Sequence, residues 1–140
     1  MTTPAQTGPS GQTASSAQTE ANRAVMAEFA KLMYDERNPA AAFEKFVSPA
    51  YIQHNPMLPD GPEPAVAFLG PMYSAPGARF DVQRILVDGD LAAVHLRAQP
   101  PGRGTLAIAD FYRLADGLIV EHWDAIQPVP DTAANDHPMF

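Results

Sequence analysis

The chain has 140 residues, a length typical of a single domain, and 46% of them are hydrophobic. It has no cysteine, which excludes disulfides, thiolate metal sites and a cysteine nucleophile. The 16 acidic residues outnumber the 9 basic ones and give a formal net charge of −7, so nucleic acid and anionic membranes are poor partners. With no membrane-length apolar run and no recognisable signal peptide, we expect a cytoplasmic protein.

The two ends of the chain differ in composition from the middle. Residues 1–20 contain no Leu, Ile, Val, Phe, Tyr or Trp and consist mostly of small and polar residues. Such a segment cannot bury enough apolar surface to offset the entropy lost on ordering, so we expect a disordered tail. Residues 131–140 are assigned to a second tail, which leaves one domain over residues 21–130.

Helical periodicity begins after the first tail and predicts three helices. The first runs from Glu20 to Arg37, and the second begins at Asn38-Pro39, an N-cap residue followed by proline at the first helical position. Ser48-Pro49 is expected to end the second helix, and Gly70-Pro71 to end the third, which spans Glu63–Leu69. The first helix has its apolar residues on one face, namely Val25, Met26, Phe29, Leu32 and Met33.

The second half of the chain reads as strands. Asp88-Gly89 and Asp116-Gly117 are hairpin signals between the first pair and the last pair of strands. A short extended segment, Tyr51–His54, precedes the third helix. Helices followed by antiparallel strands predict an α+β fold with the helices on one face of a curved sheet. The predicted strands are Phe80–Val87, Leu91–Arg97, Thr105–Leu114 and Leu118–Gln127.

Polar side chains lie among apolar ones on one face of the last two strands. Alternation puts Asp110 beside Tyr112 in one strand, and Asp124 beside Val120 and His122 in the next. Two carboxylates in one apolar cavity cannot both stay ionised at low cost, so we expect one of them to hold a proton. That difference is what general acid–base catalysis near neutral pH requires.

Structural roles are the alternative for these residues. Asp110 could bond to a loop at a sheet edge or pair with Arg97 or Arg113, and Asp124 could accept backbone amides at a strand end. We predict no metal, because the spacing of the histidines gives no support for a three-histidine zinc site. Such a site would use His54, His95 and His122.

Two stretches of the sequence carry recognisable motifs. Residues 51–61 read YIQHNPMLPDG, and residues 110–130 read DFYRLADGLIVEHWDAIQPVP. Both resemble the SnoaL-like polyketide cyclase family, within the nuclear transport factor two-like superfamily, and the resemblance covers roughly residues 22–130. It implies an α+β cone, in which N-terminal helices pack over a strongly bent antiparallel sheet and enclose an apolar pocket. It also implies a homodimer.

The resemblance implies cofactor-independent chemistry on a small apolar carbonyl compound. Asp124 matches the acid–base aspartate of the cyclases, and Asp110 matches a second polar pocket residue on the neighbouring strand. In a cyclisation or isomerisation, Asp124 would move a proton α to the carbonyl, and Asp110 would donate a hydrogen bond to the enolate. His54 and His95 would orient the carbonyl. Further substrate-binding candidates are Phe29, Met33, Tyr51, Arg97, Tyr112, His122 and Trp123.

Two other functions stay open. Asp124 could activate a water that opens an epoxide or a lactone, with His54 or His95 placing that water. The domain could instead be a non-catalytic module that binds a ligand or dimerises. An exposed Trp123 beside Glu121 and Gln127 would indicate a dimer face.

Overall fold

The helices and strands follow the predicted order and form an α+β fold. A computed structural model describes residues 16–140, and residues 1–15 of the expected tail lie outside them. Within residues 16–140, each helix falls short of the length and apolarity that crossing a membrane requires. The helices are α1 (Ser16–Ala30), α2 (Pro39–Phe46) and α3 (Pro62–Ser74). The strands are β1 (Val47–Gln53), β2 (Arg79–Asp88), β3 (Leu91–Gln99), β4 (Leu106–Ala115) and β5 (Leu118–Pro128).

Helix α1 begins inside the segment that composition assigned to the tail. The hydroxyl of Thr19 accepts the Gly89 N–H at 3.1 Å, and the Asn22 side chain donates to the Gly89 carbonyl at 2.9 Å. These polar contacts tie the helix to the β2–β3 turn, so its first turns are ordered without large apolar side chains. A helix start at Glu20 is therefore too late, and the tail stays a prediction for residues 1–15.

A π-helical turn, Lys31–Asp35, follows α1 directly. Two residues after its end, Arg37 has a left-handed backbone with φ of 53°, and its guanidinium donates to the Ala78 carbonyl at 2.9 Å. The next helix starts as predicted, since the Asn38 side chain accepts the Ala41 N–H at 3.1 Å. Such π-turns are frequent at functional sites, and this one carries a tyrosine of the candidate site described below.

Helix α3 continues past the expected stop at Gly70-Pro71 and ends at Ser74. A proline inside a helix costs about 3 kcal/mol, because it removes one backbone hydrogen bond and crowds the preceding turn. Tyr73, in the last turn, is buried and stacks face to face on Phe80 with ring centroids 3.7 Å apart. The packing of this aromatic side chain offsets the cost of Pro71, so the helix is longer than local sequence predicts.

The five strands form one open, mixed sheet in the order β1-β5-β4-β3-β2. Strands β2 to β5 are antiparallel as predicted, but β1 pairs with β5 in parallel, so the expectation of a wholly antiparallel sheet is wrong at this edge. A hairpin forces the two strands that it joins to be antiparallel. No hairpin joins β1 to β5, because α3 and three further strands lie between them in the chain, so this pair is free to be parallel. The edge position also tolerates Pro49, which has no N–H group to donate to a neighbouring strand.

One turn and one bulge determine which side chains of β4 and β5 face the helices. Asp116 and Gly117 both have positive φ, 52° and 77°, as the predicted two-residue hairpin requires. Between Arg113 and Leu114 the β4–β5 register shifts, which leaves Val120 as an extra residue on β5. Ile119 is therefore fully buried where simple alternation would have placed Val120 inward. Beyond the bulge, the predicted alternation is restored.

The core lies between the helices and the inner face of the sheet. Helix residues Met26 and Phe29 are fully buried, as are Val94 and Leu96 of β3 and Ile119 of β5. The burial alternates strictly along β3, which identifies its inner and outer faces. A cavity interrupts this core towards the β3–β4 loop, and the polar strand residues surround it.

Candidate functional site

The cavity has a volume of about 110 Å³ and lies between the π-helical turn, α2 and α3 on one side and the inner face of the sheet on the other. Apolar side chains form most of its wall, among them Met33, Phe43, Leu69, Met72, Phe80 and Ile108. A mainly apolar pocket with a few convergent polar groups is the usual form of a small-molecule site. The polar groups come from β1, β4, β5 and the loops that follow β1 and β3.

Both candidate carboxylates line this cavity. Asp110 of β4 and Asp124 of β5 are direct cross-strand partners, so their side chains leave the sheet next to each other. Asp110 is buried, with 8% of its surface exposed, whereas Asp124 is half-buried. The two carboxylates therefore share one cavity but differ in how much of each side chain is exposed.

Asp110 is held by tyrosine hydroxyls. Tyr34 donates to Asp110 Oδ2 at 2.7 Å, and its oxygen lies 2.7 Å from that of Tyr112. Because the Tyr34 hydrogen points to Asp110, Tyr112 must be the donor in the second bond. Burial, and then the charge of Asp110, raise the pKa of the Tyr34 and Tyr112 hydroxyls well above their usual value, so both keep their hydrogens.

His122 faces Asp110 from β5, and its hydrogen-bond partners determine its tautomer. Nδ1 lies 2.7 Å from Gln53 Oε1, and the Asn55 N–H also donates to that oxygen at 3.0 Å. A backbone donor identifies this atom as the amide oxygen, so His122 Nδ1 must carry a hydrogen. Nε2 lies 3.0 Å from Asp110 Oδ1.

It follows that Asp110 and His122 share one proton between Oδ1 and Nε2. Without that proton, a nitrogen lone pair would face a carboxylate lone pair, which is repulsive. The pair is therefore either a carboxylic acid with neutral imidazole or a carboxylate with imidazolium. In the first form, each group donates a hydrogen bond to the next. Tyr112 donates to Tyr34, Tyr34 to Asp110, Asp110 to His122, and His122 to Gln53.

This series of hydrogen bonds, the donor chain, ends on Tyr51. The Gln53 Nε2 donates to the Tyr51 hydroxyl at 3.3 Å, so the hydroxyl oxygen is an acceptor there and its own hydrogen is left for the cavity. Burial, and then the charge of Asp110, raise the pKa of Tyr51, which keeps it a donor. Hydrogen bonds that follow one another in a chain polarise one another, and this makes the Tyr51 hydroxyl at the end of the chain a stronger donor.

Asp124 has a different environment. Asn55 Nδ2 donates to its Oδ2 at 2.7 Å, and Asn55 Oδ1 accepts the Met57 N–H at 2.9 Å, which orients the amide. Asp124 Oδ1 has no hydrogen-bond partner among residues 16–140. One oxygen is thus positioned by a neutral amide, and the other is free to accept a proton inside the cavity.

Asp110, His122 and Asp124 also form the group best suited to a metal ion among residues 16–140. Each offers one ligand atom, and these atoms lie within 4.8 Å of one another. Oxygen and imidazole nitrogen donors suit a divalent transition ion. To bind one, His122 Nε2 would have to give up its hydrogen bond to Asp110. The three-histidine alternative does not form, because His54 and His95 lie on the other face of the sheet.

Two predicted site residues of β3 lie on the outer face of the sheet. His95 and Arg97 alternate with the buried Val94 and Leu96, so their side chains leave the sheet opposite the cavity. His95 bonds to Arg84, and Arg97 lies over the ring of Phe140 at 5.7 Å. The structure therefore does not bring His95 and Arg97 to the cavity, where catalysis by His95 and substrate binding by Arg97 were expected.

His54 and Trp123 lie on the outer face as well. The His54 ring stacks on that of Trp123 with centroids 4.7 Å apart, and its Nε2 lies 2.7 Å from Glu121 Oε1. The sequence motif YIQHN is correct in placing polar residues at the cavity, but they are Gln53 and Asn55, the neighbours of His54. Alternation along the extended chain explains why the middle residue points away.

The remaining predicted substrate-binding residues divide into two groups. Tyr51, Tyr112, His122 and Met33 line the cavity. Phe29 is fully buried behind it and packs edge-on against the Tyr112 ring, with centroids 5.3 Å apart. Phe29 therefore supports the site without lining it.

Tyr34, Tyr73 and Arg103 lie at or beside the cavity but were not among the residues predicted for it. Tyr34 lies in the π-helical turn next to Met33, the last residue of the apolar face predicted for the first helix, and a tyrosine adds a polar tip to such a face. A tyrosine at such a position could therefore have been predicted from the sequence as a polar group of the site. Arg103 lies in a loop, where alternation and periodicity give no direction to a side chain.

On the outer face, Glu121 makes stability depend on pH. Although partial burial opposes ionisation, hydrogen bonds from His54 and Arg113 lower the pKa of Glu121 below its usual value. A lowered folded-state pKa gives stability that is present above the ordinary glutamate pKa and is lost as pH falls through the folded value. We expect Glu121→Gln to lower the free energy of unfolding at pH 7 and to flatten its decline below about pH 5.

Urea denaturation at several pH values measures this effect. Glu44→Gln, at an exposed position of α2, is the matched control and should leave the pH profile unchanged. Parallel pH profiles for wild type and Glu121→Gln would contradict the assignment.

Comparison with known proteins identifies the family to which the sequence and the fold are similar. Residues 18–122 match the model of the SnoaL-like domain, whereas a comparison with curated proteins finds no significant match. Similar solved structures include an NTF2-like protein of Mesorhizobium loti, with 22% identity, TM-score 0.68 and coverage of 79% of this chain and 93% of that one. A candidate ketosteroid isomerase of Kribbella flavida has 20% identity, TM-score 0.66 and coverage of 84% and 86%.

A candidate SnoaL-like polyketide cyclase of Jannaschia is similar too, with 21% identity, TM-score 0.61 and coverage of 83% and 91%. At such identities these likenesses show the fold alone. The family model, however, spans more than half of the chain and includes Asp110, His122 and the donor chain between them and Tyr51. The chain therefore belongs to the SnoaL-like domain family.

Proposed function

We propose that this protein is a cofactor-independent acid–base enzyme that moves a proton α to the carbonyl of an apolar compound. One observation carries the proposal: two cross-strand carboxylates share a cavity, and their partners give them different roles. Asp110 shares a proton with His122, whereas Asp124 has an oxygen without a partner among the described residues. Paired titratable groups in different environments are typical of acid–base assignments.

Asp124 is the general base in this mechanism. Its Oδ1 accepts the proton α to the carbonyl, while Asn55 holds Oδ2 in place. The resulting carboxylic acid returns the proton to another carbon, or to the oxygen, in an isomerisation or cyclisation. The apolar wall excludes water and strengthens electrostatic interactions with the enolate.

Tyr51 is the donor that stabilises the enolate oxygen. Both Asp110 oxygens are engaged by Tyr34 and His122, so Asp110 is not the direct donor that the sequence predicted. Its role is to polarise the donor chain that ends on Tyr51. Removing one preorganised oxyanion donor typically costs about 10²–10³ in rate.

Deuterium incorporation tests this function without knowledge of the natural substrate. The probes are the apolar ketones 2-decanone and trans-2-decalone, incubated with enzyme in D2O and followed by NMR at the α positions. Exchange above the buffer rate that persists with excess chelator supports the proposal. No exchange with either ketone, despite their binding, would refute it.

Hydrolysis is the second candidate, favoured by the contact between Asn55 and Asp124, since a carboxylate beside an amide is able to place an attacking water. Label from H2¹⁸O in a product, obtained with epoxide and lactone probes, would assign hydrolysis. Proton transfer incorporates none.

The cytoplasmic location stays a prediction. We also propose a homodimer formed through the outer face of the sheet. Leu86, Leu91 and Phe111 are exposed there by 63%, 51% and 44% and surround a shallow apolar hollow. Trp123, suggested by sequence as the dimer marker, is partly covered by His54. A second copy of the same face offers a matching apolar surface.

Light scattering after size-exclusion chromatography should give the mass of two chains for wild type and of one chain for Phe111→Glu. Met57→Glu, at an exposed loop position, is the control and should stay dimeric. A monomeric wild type would contradict the proposal.

A further inference from the structure

Arg103 differs from every other residue of the cavity wall. It is the only Lys or Arg that lines the cavity within residues 16–140, and the chain as a whole is strongly acidic. Its side chain is exposed and has no ion pair or hydrogen bond with the described residues. An arginine without a partner at the edge of an apolar pocket is available to an anionic group of a ligand.

The backbone holds Arg103 in place. The loop that joins β3 to β4 begins with a turn in which the Arg103 N–H donates to the Pro100 carbonyl at 3.4 Å. Pro101 and Gly102 occupy the central positions, and Gly102 has φ of 72°, as a type II turn requires. The turn therefore fixes where the backbone of Arg103 lies beside the cavity.

The charges of the cavity are separated along the strands. Asp110 and Asp124 lie at one end, while Arg103 precedes Leu106, which is four residues from Asp110 on β4. At about 3.3 Å per residue this corresponds to roughly 13 Å along the strand. Apolar side chains, including Leu106, Ile108 and Ile126, fill the wall between the two ends. The carboxylate proposed as the base, Asp124, repels an anion from its end, and Arg103 attracts it to the other.

We infer that the substrate is an oxo acid, in which an apolar segment of roughly 10 Å separates the reacting carbonyl from a carboxylate bound by Arg103; this is shorter than the strand span because the side chains of both ends line the cavity between them. The planar guanidinium matches a carboxylate with two parallel hydrogen bonds. This inference rests on the proposed function for the position of the carbonyl, but Arg103 determines the affinity for the acid whether or not proton transfer occurs.

Binding of matched probes tests the inference separately from catalysis. The probes are 5-oxohexanoate, 7-oxooctanoate and 9-oxodecanoate, each compared with its methyl ester by calorimetric titration. We expect the acid to bind more tightly than its ester only for the longest probe, by about threefold to tenfold, because an exposed ion pair contributes modestly. High salt should reduce this preference.

Variants assign the preference to one side chain. Arg103→Gln should abolish the difference between 9-oxodecanoate and its ester while leaving the ester affinity unchanged, and Arg103→Lys should restore part of it. Arg23→Gln, an exposed arginine of α1, is the control. An acid preference that survives Arg103→Gln, or the lack of any preference in wild type, overturns the inference. Missing deuterium exchange with intact acid preference would refute the proposed function alone.

Discussion

Asp124→Asn should lower the rate of α-deuterium exchange by about 10²–10⁴-fold, the usual contribution of a positioned general base. The amide cannot accept the α proton, so the step that the carboxylate performs is lost. The shape of the site changes little, because an asparagine carbonyl at the Oδ2 position still accepts from Asn55 Nδ2.

Binding separates this chemical effect from structural damage. The affinity for methyl 9-oxodecanoate should stay within about threefold of wild type, since Asp124 acts in the transition state and contributes little to ground-state binding. Asp81→Asn, on the exposed part of β2, is the matched control and should exchange at the wild-type rate. Undiminished exchange in Asp124→Asn would show that another group is the base.

The strand half of the fold was accessible from sequence because its signals are local. The Asp116-Gly117 turn and the alternation along β4 are correct, but by themselves they would pair Asp110 with Trp123, and it is the bulge at Val120 that brings Asp124 opposite Asp110. The parallel pairing of β1 was not accessible, since no local pattern specifies the partner of an edge strand. The helix past Pro71 depends on Tyr73 stacking against Phe80, a contact between distant parts of the chain.

Of the residues predicted for the site, those of β4 and β5 other than Trp123 line the cavity, whereas those of β3 do not. His54 and its neighbours show the limit: the motif marks the segment, but whether Gln53 or His54 faces the cavity depends on how β1 pairs with β5. His95 was expected to orient the carbonyl, although alternation with the buried Val94 places it on the outer face. Tyr34 contacts Asp110 across the fold, and no spacing in the sequence links residues so far apart.

Asp110→Ala should destabilise the fold by about 3–5 kcal/mol, as expected when one partner of a buried pair is removed. The change leaves the Tyr34 hydroxyl and His122 Nε2 without their partner in a buried site. Each unpaired polar group costs about 1–3 kcal/mol. Urea denaturation at pH 7 measures the loss of free energy of unfolding.

Asp110→Asn should cost less than about 1.5 kcal/mol, because asparagine satisfies both neighbours. Its oxygen accepts from Tyr34, and its amide donates to His122 Nε2, as the protonated aspartic acid would. The donor chain to Tyr51 keeps its direction, so exchange should stay within about tenfold of wild type if the carboxylic acid form is the active one.

The two variants together identify the protonation state of the Asp110–His122 pair. In the carboxylate–imidazolium form, asparagine would replace an ion pair with a neutral contact, and a large loss of stability would accompany Asp110→Asn as well. ¹⁵N NMR of His122 gives an independent measure, since the imidazolium has both nitrogens protonated and the neutral ring has a bare Nε2. A neutral ring in wild type together with a stable Asp110→Asn variant would establish the one-way donor chain, whereas an imidazolium signal would require a mechanism in which His122 supplies the proton.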